Sequence, residues 1–345
     1  MAANAESKGQ SDDPISLFID EQRYHGKSER TLNAYNRVLR NFEAYALYND
    51  TGSKDFEQLD RRDCMRWVHS QRGDLAESTI ASYASYVNRF FRYMVEIGEF
   101  QSNPMQLVME QMPESIDQDP VRRDISIEQM RIFLDTIDHP LTKVIVLTFL
   151  KTGIRVGELC NLDLRDLALE TPLLNQIKPR PVVEAHGPAL FVDSDIDRGD
   201  RINGEERISS NKRQRATIIP LDQELQAAIS EWLAIRPDSY SDANPLFVDT
   251  GSSWGQRIDP EGVRYRVRRI AESYGWHTNG GDASNNVTPH YFRHFFTTHM
   301  RDRIGDRGVV KYLRGDVADD IIDTYTHNWG DRVRRRYERH IYQLL

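Results

Sequence analysis

The stretch "TPHYFRHFFTTHM", residues 288–300, decides how the second half of the chain is interpreted. Thr288 is a good N-cap and Pro289 suits the first helical position, so we predict a helix with His290 and Arg293 in its opening turns. A second histidine follows four residues later, which is the spacing of zinc ligands on a helix. The free backbone N–H groups of a helix start, next to a histidine and an arginine, instead favour an anion such as phosphate.

The residue types around the two histidines favour the anion over the metal. A metalloprotease helix would carry Glu directly after His290, where this chain has Tyr291. Arg293 stands between the two histidines and would repel a cation. Ordinary structural histidines remain the alternative, and for His294 and His299 this is the prediction, with support of the site by His294 left open.

Length and composition predict a folded intracellular protein. The chain has 345 residues, enough for two or three domains, and 39% of them are hydrophobic. Its two cysteines, Cys64 and Cys160, cannot form a disulfide framework, which fits a reducing cytosol. No run approaches the roughly 18 apolar residues of a membrane span, and the N-terminus lacks the apolar centre of a signal peptide. We predict a cytoplasmic protein without a membrane partner, and a disordered arm at residues 1–12.

The net charge of -8 counts against a nucleic-acid partner. However, only eight of the 45 basic residues are lysines, and 53 acids accompany them. This composition resembles proteins of salt-loving archaea, whose whole surfaces are acidic whatever they bind, so local clusters are the better guide. Three basic clusters predict contacts with DNA, and solvated faces are the alternative for each. They are "NKRQR" (211–215), "RYRVRR" (264–269) and "RVRRR" (332–336).

Residues 13–112 are predicted to form a small bundle of four helices. Their apolar residues recur at helical spacing. Asp13 can cap the first helix, with Pro14 at its first position, and Gly98 is a natural end for the fourth. The third helix is expected over about 61–71.

Residues 113–124, "PESIDQDPVRRD", are polar and contain two prolines, so we predict a linker between domains. In the following domain, residues 125–345, Ser126 and Gln129 form a capping box, and an apolar helix is expected over about 141–152. Strand-like runs follow at "ALFVD", "ATIIPL" and "PLFVD", and then further helices. The predicted fold is mainly α with a small β-sheet, an α+β arrangement in the second domain.

Four motifs occur in the order seen in tyrosine recombinases, the phage-integrase family, of the XerC/XerD-like type. They are "TGIRVGELCNL" (152–162), "SNKRQRATIIPL" (210–221), "TPHYFRHFFTTHM" (288–300) and "LRGDVADDIIDTYTH" (313–327). The resemblance covers about residues 14–345. It implies an N-terminal helical, SAM-like core-binding domain that clamps DNA and a C-terminal catalytic domain.

The resemblance implies catalytic roles for five residues: Arg155, Lys212, His290, Arg293 and Tyr325. In the family's mechanism the tyrosine attacks a DNA phosphorus and leaves a 3′-phosphotyrosine, so that neither metal nor ATP nor another cofactor is needed. The two arginines bind the non-bridging oxygens, a task for which lysine is a poor substitute. The lysine protonates the departing 5′ oxygen, and the histidine helps to take the proton of the tyrosine.

Two features depart from the family pattern. Asp316 stands nine positions before Tyr325, where the family has His or Trp, and an ionised carboxylate there would repel the phosphate. Either it is protonated or turned away, or His327 or a neighbour takes the position, or activity is reduced. The segment between Arg155 and Lys212 is also longer than usual for the family, and we expect an extended surface hairpin at its acidic part, residues 193–207.

The predicted partner is double-stranded DNA at a specific site. Arg213, Arg215, Arg264 and Arg266 are the predicted DNA contacts. The resemblance also implies self-association into a dimer or tetramer on DNA. This would occur through a C-terminal helix whose apolar stripe comprises Val333, Tyr337, Ile341 and Leu344. The alternative is that this helix folds back on its own domain.

Two other functions stay open at this point. A type IB topoisomerase shares the phosphotyrosine chemistry without pairing two DNA sites. A DNA-binding protein that kept the fold and lost catalysis is the rival from another class, and Asp316 is the reason to consider it.

Overall fold

The computed structural model describes residues 13–48, 55–116, 121–316 and 329–345. The chain divides into two compact units, Met1–Pro120 and Val121–Leu345. This division falls inside the segment predicted as a linker. The predicted arm at residues 1–12, Tyr325 and His327 lie outside the described residues.

The first unit contains the four predicted helices and one more short helix. Asp13 caps the first helix by accepting hydrogen bonds from the backbone N–H groups of Ile15 and Ser16. Phenylalanine side chains from several elements pack edge to face in the core. The helices are α1 (Pro14–Tyr24), α2 (Glu29–Tyr48), α3 (Arg61–Ser70), α4 (Glu77–Glu96) and α5 (Gln106–Gln111).

Both ends of the predicted linker pack on the units that they adjoin. Glu114 is buried in the first unit and accepts a hydrogen bond of 2.5 Å from Arg72. In the second unit, the Tyr291 hydroxyl donates to the carbonyl oxygen of Arg123 at 2.7 Å. At each end of the predicted linker, a polar group is therefore paired with a residue of the adjoining unit.

The second unit is mainly helical around a small sheet, as predicted. Its helices are α6 (Ile127–Asp135), α7 (Pro140–Thr152), α8 (Val156–Cys160), α9 (Pro181–Glu184), α10 (Gln223–Ile235), α11 (Pro260–Ser273), α12 (Pro289–Ile304), α13 (Arg307–Arg314) and α14 (Trp329–His340). The capping box at Ser126 and the N-cap at Thr288 are both present. Among the described residues, no helix is long and apolar enough to cross a membrane.

The sheet is antiparallel, with strand order β1-β2-β5. Its strands are β1 (Leu167–Ala168), β2 (Ala189–Val192) and β5 (Thr217–Pro220), and a separate hairpin consists of β3 (Arg201–Ile202) and β4 (Glu205–Glu206). The predicted strand at "PLFVD" is wrong. This run forms only isolated bridges, between Asp163 and Pro245 and between Val248 and Arg257.

Helix α7 lies in the centre of the second unit and packs against α10 and α12. It is apolar around most of its circumference, the pattern of a fully buried helix. Lys151 near its end is also fully buried. Its ammonium group is paired with Asp222 at 2.6 Å and Glu224 at 2.5 Å, which compensates for its burial.

The C-terminal helix folds back on its own unit. Of the predicted apolar stripe, Val333 and Tyr337 lie on α14, whereas Ile341 and Leu344 follow the end of the helix at His340. All four side chains are buried in the core of the same chain. The Tyr337 hydroxyl donates to the carbonyl of Lys151 at 3.0 Å, and the N–H of Leu344 lies 2.9 Å from Glu224. The prediction that this helix docks on a neighbouring subunit is therefore wrong for the described structure. Buried Lys151 and partly buried Glu224 provide polar anchors that the stripe alone does not reveal.

The long segment before β5 does contain a hairpin, turned by Asn203 and Gly204. The hairpin itself is largely exposed, as expected, but it is short and its base is buried. Arg207 is 1% exposed, and its guanidinium pairs with the equally buried Asp163 at 2.7 Å. Arg257 bonds to the same aspartate and to Glu205, both at 2.6 Å. The insertion is thus anchored in the core of the unit.

Candidate active site

A glycine at the end of α7 brings two predicted site residues together. Gly153 has φ 64°, and a Cβ there would lie 2.3 Å from the Phe296 ring. Only glycine fits this turn, because both the left-handed backbone and the contact with α12 exclude a side chain. Arg155 follows at the start of α8, and Arg293 of α12 donates to the Gly153 carbonyl at 2.5 Å.

Arg155 and Arg293 converge on one carboxylate, that of Asp316. Nη2 of Arg155 lies 2.5 Å from Oδ1, and Nη2 of Arg293 lies 2.8 Å from both oxygens. A third guanidinium, that of Arg314, approaches Oδ2 at 2.9 Å. Gly315, with φ 71°, turns the chain after α13. Residues that are far apart in sequence therefore form one anion-binding cluster.

The Asp316 carboxylate is ionised and faces the arginines. Its partial burial acts to raise its pKa, but the charges of Arg293, Arg314 and Arg155 outweigh this and lower the pKa below the usual value. The two expectations that Asp316 is protonated or turned away are wrong. The physical reason is the number of cations, because three guanidiniums around one carboxylate strongly favour its charged form.

Glu158 supports Arg155 from behind. It is buried and binds Arg155 Nη1 at 2.9 Å and Arg213 Nη2 at 3.0 Å. Burial acts to raise the pKa of Glu158, but Arg213 and then Arg155 lower it overall. The side chain of Arg213 is fully buried in this pair, so its predicted contact with DNA is wrong. Its packing against Gly315 joins it to the turn that carries Asp316.

Lys212 is exposed between two anchored neighbours. Asn211 is buried, with its side chain accepting from Asn161 at 2.8 Å and donating to the Asp193 carbonyl at 2.9 Å. Arg213 on the other side is held by Glu158. With the described residues, Lys212 forms no hydrogen bond or ion pair. The segment is thus fixed on both sides of a lysine whose ammonium group faces solvent.

His290 reaches solvent next to the arginine cluster. Desolvation, followed by the nearby charges of Arg122, Arg293, Arg314 and Arg155, lowers the pKa of its imidazole below 6.5. It is therefore neutral at pH 7 and able to accept a proton.

The other two histidines of α12 have local partners. The His299 ring contacts the Phe295 ring in a tilted arrangement, with 4.1 Å between ring centroids, and its Nε2 lies 3.2 Å from the Ile125 carbonyl. Nε2 of His294 lies 3.5 Å from the Thr298 hydroxyl. In the part of the chain that the structure describes, no three His, Cys, Asp or Glu side chains are grouped to hold a metal ion.

The other three arginines predicted to contact DNA differ in how accessible their guanidinium groups are. Arg215 is exposed. Arg264 is paired with Glu261 one turn earlier on α11. Arg266 is largely buried and paired with Asp249 at 2.6 Å, which leaves its guanidinium little freedom to reach another partner.

Sequence reasoning missed Arg314 and Arg122. Arg314 was inside a quoted motif, two residues before Asp316, but no spacing rule identified it as part of the cluster. Arg122 was assigned to the linker, and yet its charge acts on His290. A signal was present for Arg314, which stands two residues before Asp316, whereas Arg122 is far in sequence from every predicted site residue.

Family models match both units. The model described as "Phage integrase family" matches residues 193–331, and "Phage integrase, N-terminal SAM-like domain" matches residues 17–98. A tyrosine recombinase XerC of Pelobacter propionicus is 26% identical over 336 residues, covering 94% of this chain and 95% of the relative. A tyrosine recombinase XerC of Salmonella typhi is 28% identical, covering 91% and 90%. These relatives are bacterial and give the expected archaeal origin no support.

Solved structures share the fold. The integrase of transposon Tn1549, in complex with a circular intermediate DNA, has a TM-score of 0.65 at 19% identity, covering 94% of this chain and 98% of that one. A lambda integrase dimer bound to a core site has a TM-score of 0.57 at 12% identity, covering 90% and 96%. The matching models in both units and the XerC relatives that span nearly the whole chain support assignment to the tyrosine recombinase family.

Proposed function

We propose that the protein is a site-specific DNA recombinase that cleaves and rejoins DNA strands through a phosphotyrosine at Tyr325. The observation that carries the proposal is the convergence of Arg155 and Arg293 on a single anion, at 2.5 and 2.8 Å. Two planar guanidiniums aimed at one oxyanion suit a phosphodiester that gains negative charge during substitution at phosphorus. Family membership supplies the nucleophile and the reaction class.

The arginines are held in place before any substrate arrives. Arg293 is 3% exposed, and its Nη1 is bound by the carbonyls of Gly153 and Arg314. Burial and the charge of Arg155 lower the pKa of Arg293 to about 10, so it remains charged at neutral pH. A fixed donor of this kind needs no reorganisation as charge develops on the phosphate, which is the basis of electrostatic catalysis.

In the proposed cleavage step, the Tyr325 oxygen attacks the phosphorus and the bond to the 5′ oxygen breaks. The tyrosine proton passes to neutral His290, and the departing 5′ oxygen takes a proton from Lys212. The phosphotyrosine keeps the energy of the broken bond, and attack by a 5′ hydroxyl reverses the step. The residues of the chain supply every group of this step, without a metal ion or nucleotide cofactor.

The proposed partner is double-stranded DNA with a specific site, contacted by both units. The first unit, residues 13–112, is assigned the DNA-clamping role of SAM-like domains in this family. Exposed Arg215, beside Lys212, is the best placed of the four predicted DNA-contacting arginines. Assembly into a dimer or tetramer on DNA is part of the proposal, through surfaces other than the buried stripe of α14. The buried, free cysteines support a cytoplasmic location.

One observation favours a second candidate, a DNA-binding protein with weakened catalysis. Asp316 occupies the two arginines that the mechanism needs. A protein of this kind would bind its site without forming a covalent bond. A type IB topoisomerase would form that bond but would relax supercoils without exchanging strands between two sites.

The test begins by selecting the bound sequence from a random duplex library. A nicked duplex carrying that sequence then traps the covalent intermediate, because the short cleaved strand diffuses away. The proposal expects a protein–DNA adduct in the presence of EDTA. Binding without an adduct would favour the weakened protein, and relaxation of a two-site plasmid without recombinants would favour the topoisomerase.

A further inference from the structure

Three guanidiniums form a cradle that opens toward solvent. We use "guanidinium cradle" for Arg155, Arg293 and Arg314. The Nη2 atom of each lies within 2.9 Å of a carboxylate oxygen of Asp316. The Nη1 atoms of the first two point elsewhere, to Glu158 and to backbone carbonyls. For Arg155 and Arg293, the Nη donors that remain for a ligand are thus the ones that Asp316 now holds.

A carboxylate and a phosphodiester present similar acceptors to this cradle. Each has one negative charge shared by two oxygens, and arginine binds both through parallel N–H donors. The Asp316 side chain is 27% exposed, so water and ions reach it. Exchange of one oxyanion for the other is therefore sterically open and chemically conservative.

The local charge favours such an exchange. Four guanidiniums, those of the cradle and Arg213, surround only two carboxylates, Glu158 and Asp316. Two positive charges remain while Asp316 is in place. Removing its carboxylate from the cradle adds a third, and an entering phosphate restores the balance. An oxyanion on the cradle is thus strongly stabilised, whichever group supplies it.

Resting on the function proposed above, we propose that the Asp316 carboxylate occupies the position of the DNA phosphate in the guanidinium cradle and leaves it when DNA binds. Arg314 then becomes a third ligand of the phosphate, beside Arg155 and Arg293. Without DNA, the Asp316 carboxylate keeps the arginines in the geometry that binds a phosphate. Because DNA must displace this carboxylate, the affinity for DNA is lower than it would be with an empty cradle. The buried Nε of Arg314 has no hydrogen-bond partner among the described residues and is a further donor close to the cradle.

Inorganic phosphate is the probe, since it tests the cradle without requiring cleavage. Thermal unfolding of the full chain is followed in chloride buffer with increasing phosphate, for wild type, Asp316→Asn and Asp316→Asn with Arg314→Gln. Asparagine keeps the size of the side chain and removes its charge. Glu128→Gln is the control, because it also removes one charge from an arginine pair of the second unit, with exposed Arg131.

Asp316→Asn is expected to unfold at a lower temperature without phosphate and to recover as phosphate is added. Its half-saturating phosphate concentration should fall by roughly tenfold or more relative to wild type, because a competing charge is gone. Adding Arg314→Gln should reverse most of that gain. The control should behave as wild type does.

Equal phosphate binding by wild type and Asp316→Asn would overturn the proposal, and so would equally tight binding by the double variant. If Asp316→Asn fails to fold, Asp316→Ser makes the same comparison with a neutral side chain. Adduct formation on nicked duplex DNA distinguishes a failure of this proposal from a failure of the proposed recombinase function. Wild type that forms no adduct contradicts the recombinase assignment. If wild type forms an adduct, but the variants with a neutral residue at position 316 need as much DNA as wild type for half-maximal adduct, only the exchange of Asp316 for phosphate is contradicted.

Discussion

Nη2 of Arg293 lies 2.8 Å from both carboxylate oxygens of Asp316. The arginine is almost completely buried, whereas the aspartate is partly exposed. A buried guanidinium thus directs one of its NH2 groups toward the surface and holds an anion there. This relationship explains how a chain with net charge -8 can present a strongly positive site. Local geometry, rather than net charge, determines which ligand binds.

Arg155→Lys should reduce the rate of covalent adduct formation by roughly a hundredfold or more, since a lysine cannot replace a planar pair of donors on a phosphate. Single-turnover kinetics with nicked duplex at saturating DNA measures this rate. Arg131→Lys, at a partly exposed arginine of α6 that pairs with Glu128, is the matched control and should keep the wild-type rate. A rate for Arg155→Lys within a few-fold of wild type would remove Arg155 from the mechanism.

Asp316→His introduces the residue type that the resemblance places at this position. We expect adduct formation at least as fast as in wild type, because a hydrogen-bond donor replaces a carboxylate that competes with the phosphate. Single-turnover measurements across a range of DNA concentrations test this. A fall of roughly a hundredfold would show that the carboxylate has a role of its own.

Glu158→Gln should lower the free energy of unfolding by about 3–5 kcal/mol at neutral pH, because it leaves Arg213 buried without its counter-charge. The pKa of Glu158 is lowered in the folded state from the usual 4.5. Its contribution is therefore complete above pH 4.5 and is lost as the pH falls through the lowered value. Urea unfolding of both proteins should show a stability difference that narrows below pH 4.5. Glu128→Gln should show little difference at any pH, and a constant gap for Glu158→Gln would contradict the assignment.

The pH dependence of cleavage should report His290. Its pKa lies below 6.5 because of desolvation and the nearby arginines, so the base form persists in mildly acidic solution. The acid limb of the single-turnover rate should therefore have its midpoint below pH 6.5. His290→Asn should reduce the plateau by roughly a hundredfold or more and remove this limb. A midpoint above pH 6.5 in wild type, or an unchanged limb in the variant, would show that another group titrates.

Truncation after Gly330 should unfold the second unit. It removes Tyr337, Tyr342 and Leu344, which are at most 1% exposed, and it exposes the apolar surface that they cover. Tyr337→Ala alone should cost about 3–5 kcal/mol in unfolding free energy. Arg335→Ala, on the exposed face of α14, should cost little. A truncated protein with a cooperative, wild-type-like unfolding transition would show that the stripe is dispensable for folding.

Helix ends were predictable because their signals are local. Asp13, Ser126 and Thr288 each bond to backbone N–H groups within three residues, so the sequence window that contains the cap also contains its partner. The helix expected over about 141–152 likewise ends at Thr152 in the structure. The run "PLFVD" misled because a short continuous apolar run also suits a buried extended segment that forms only isolated bridges.

Partners that are distant in sequence were not predictable. Arg213 and Arg215 belong to the same basic cluster, and only packing shows that the first is buried against Glu158 while the second is exposed. The apolar stripe of α14 was visible, but its binding surface was not, because a stripe fits a neighbouring subunit as well as its own core. Asp316 was recognised as a departure from the family, whereas its three arginines meet only in the fold.

The most direct measurement of the central claim compares wild type with Tyr325→Phe on nicked duplex DNA that carries the selected site. The substitution removes only the nucleophilic oxygen, so both proteins should shift the DNA equally in a binding assay. Wild type should form a covalent adduct that survives denaturation in the presence of EDTA, and Tyr325→Phe should form none. An adduct with Tyr325→Phe would place the nucleophile at another tyrosine, and the absence of any adduct with wild type that binds the same site would contradict the proposed recombinase chemistry.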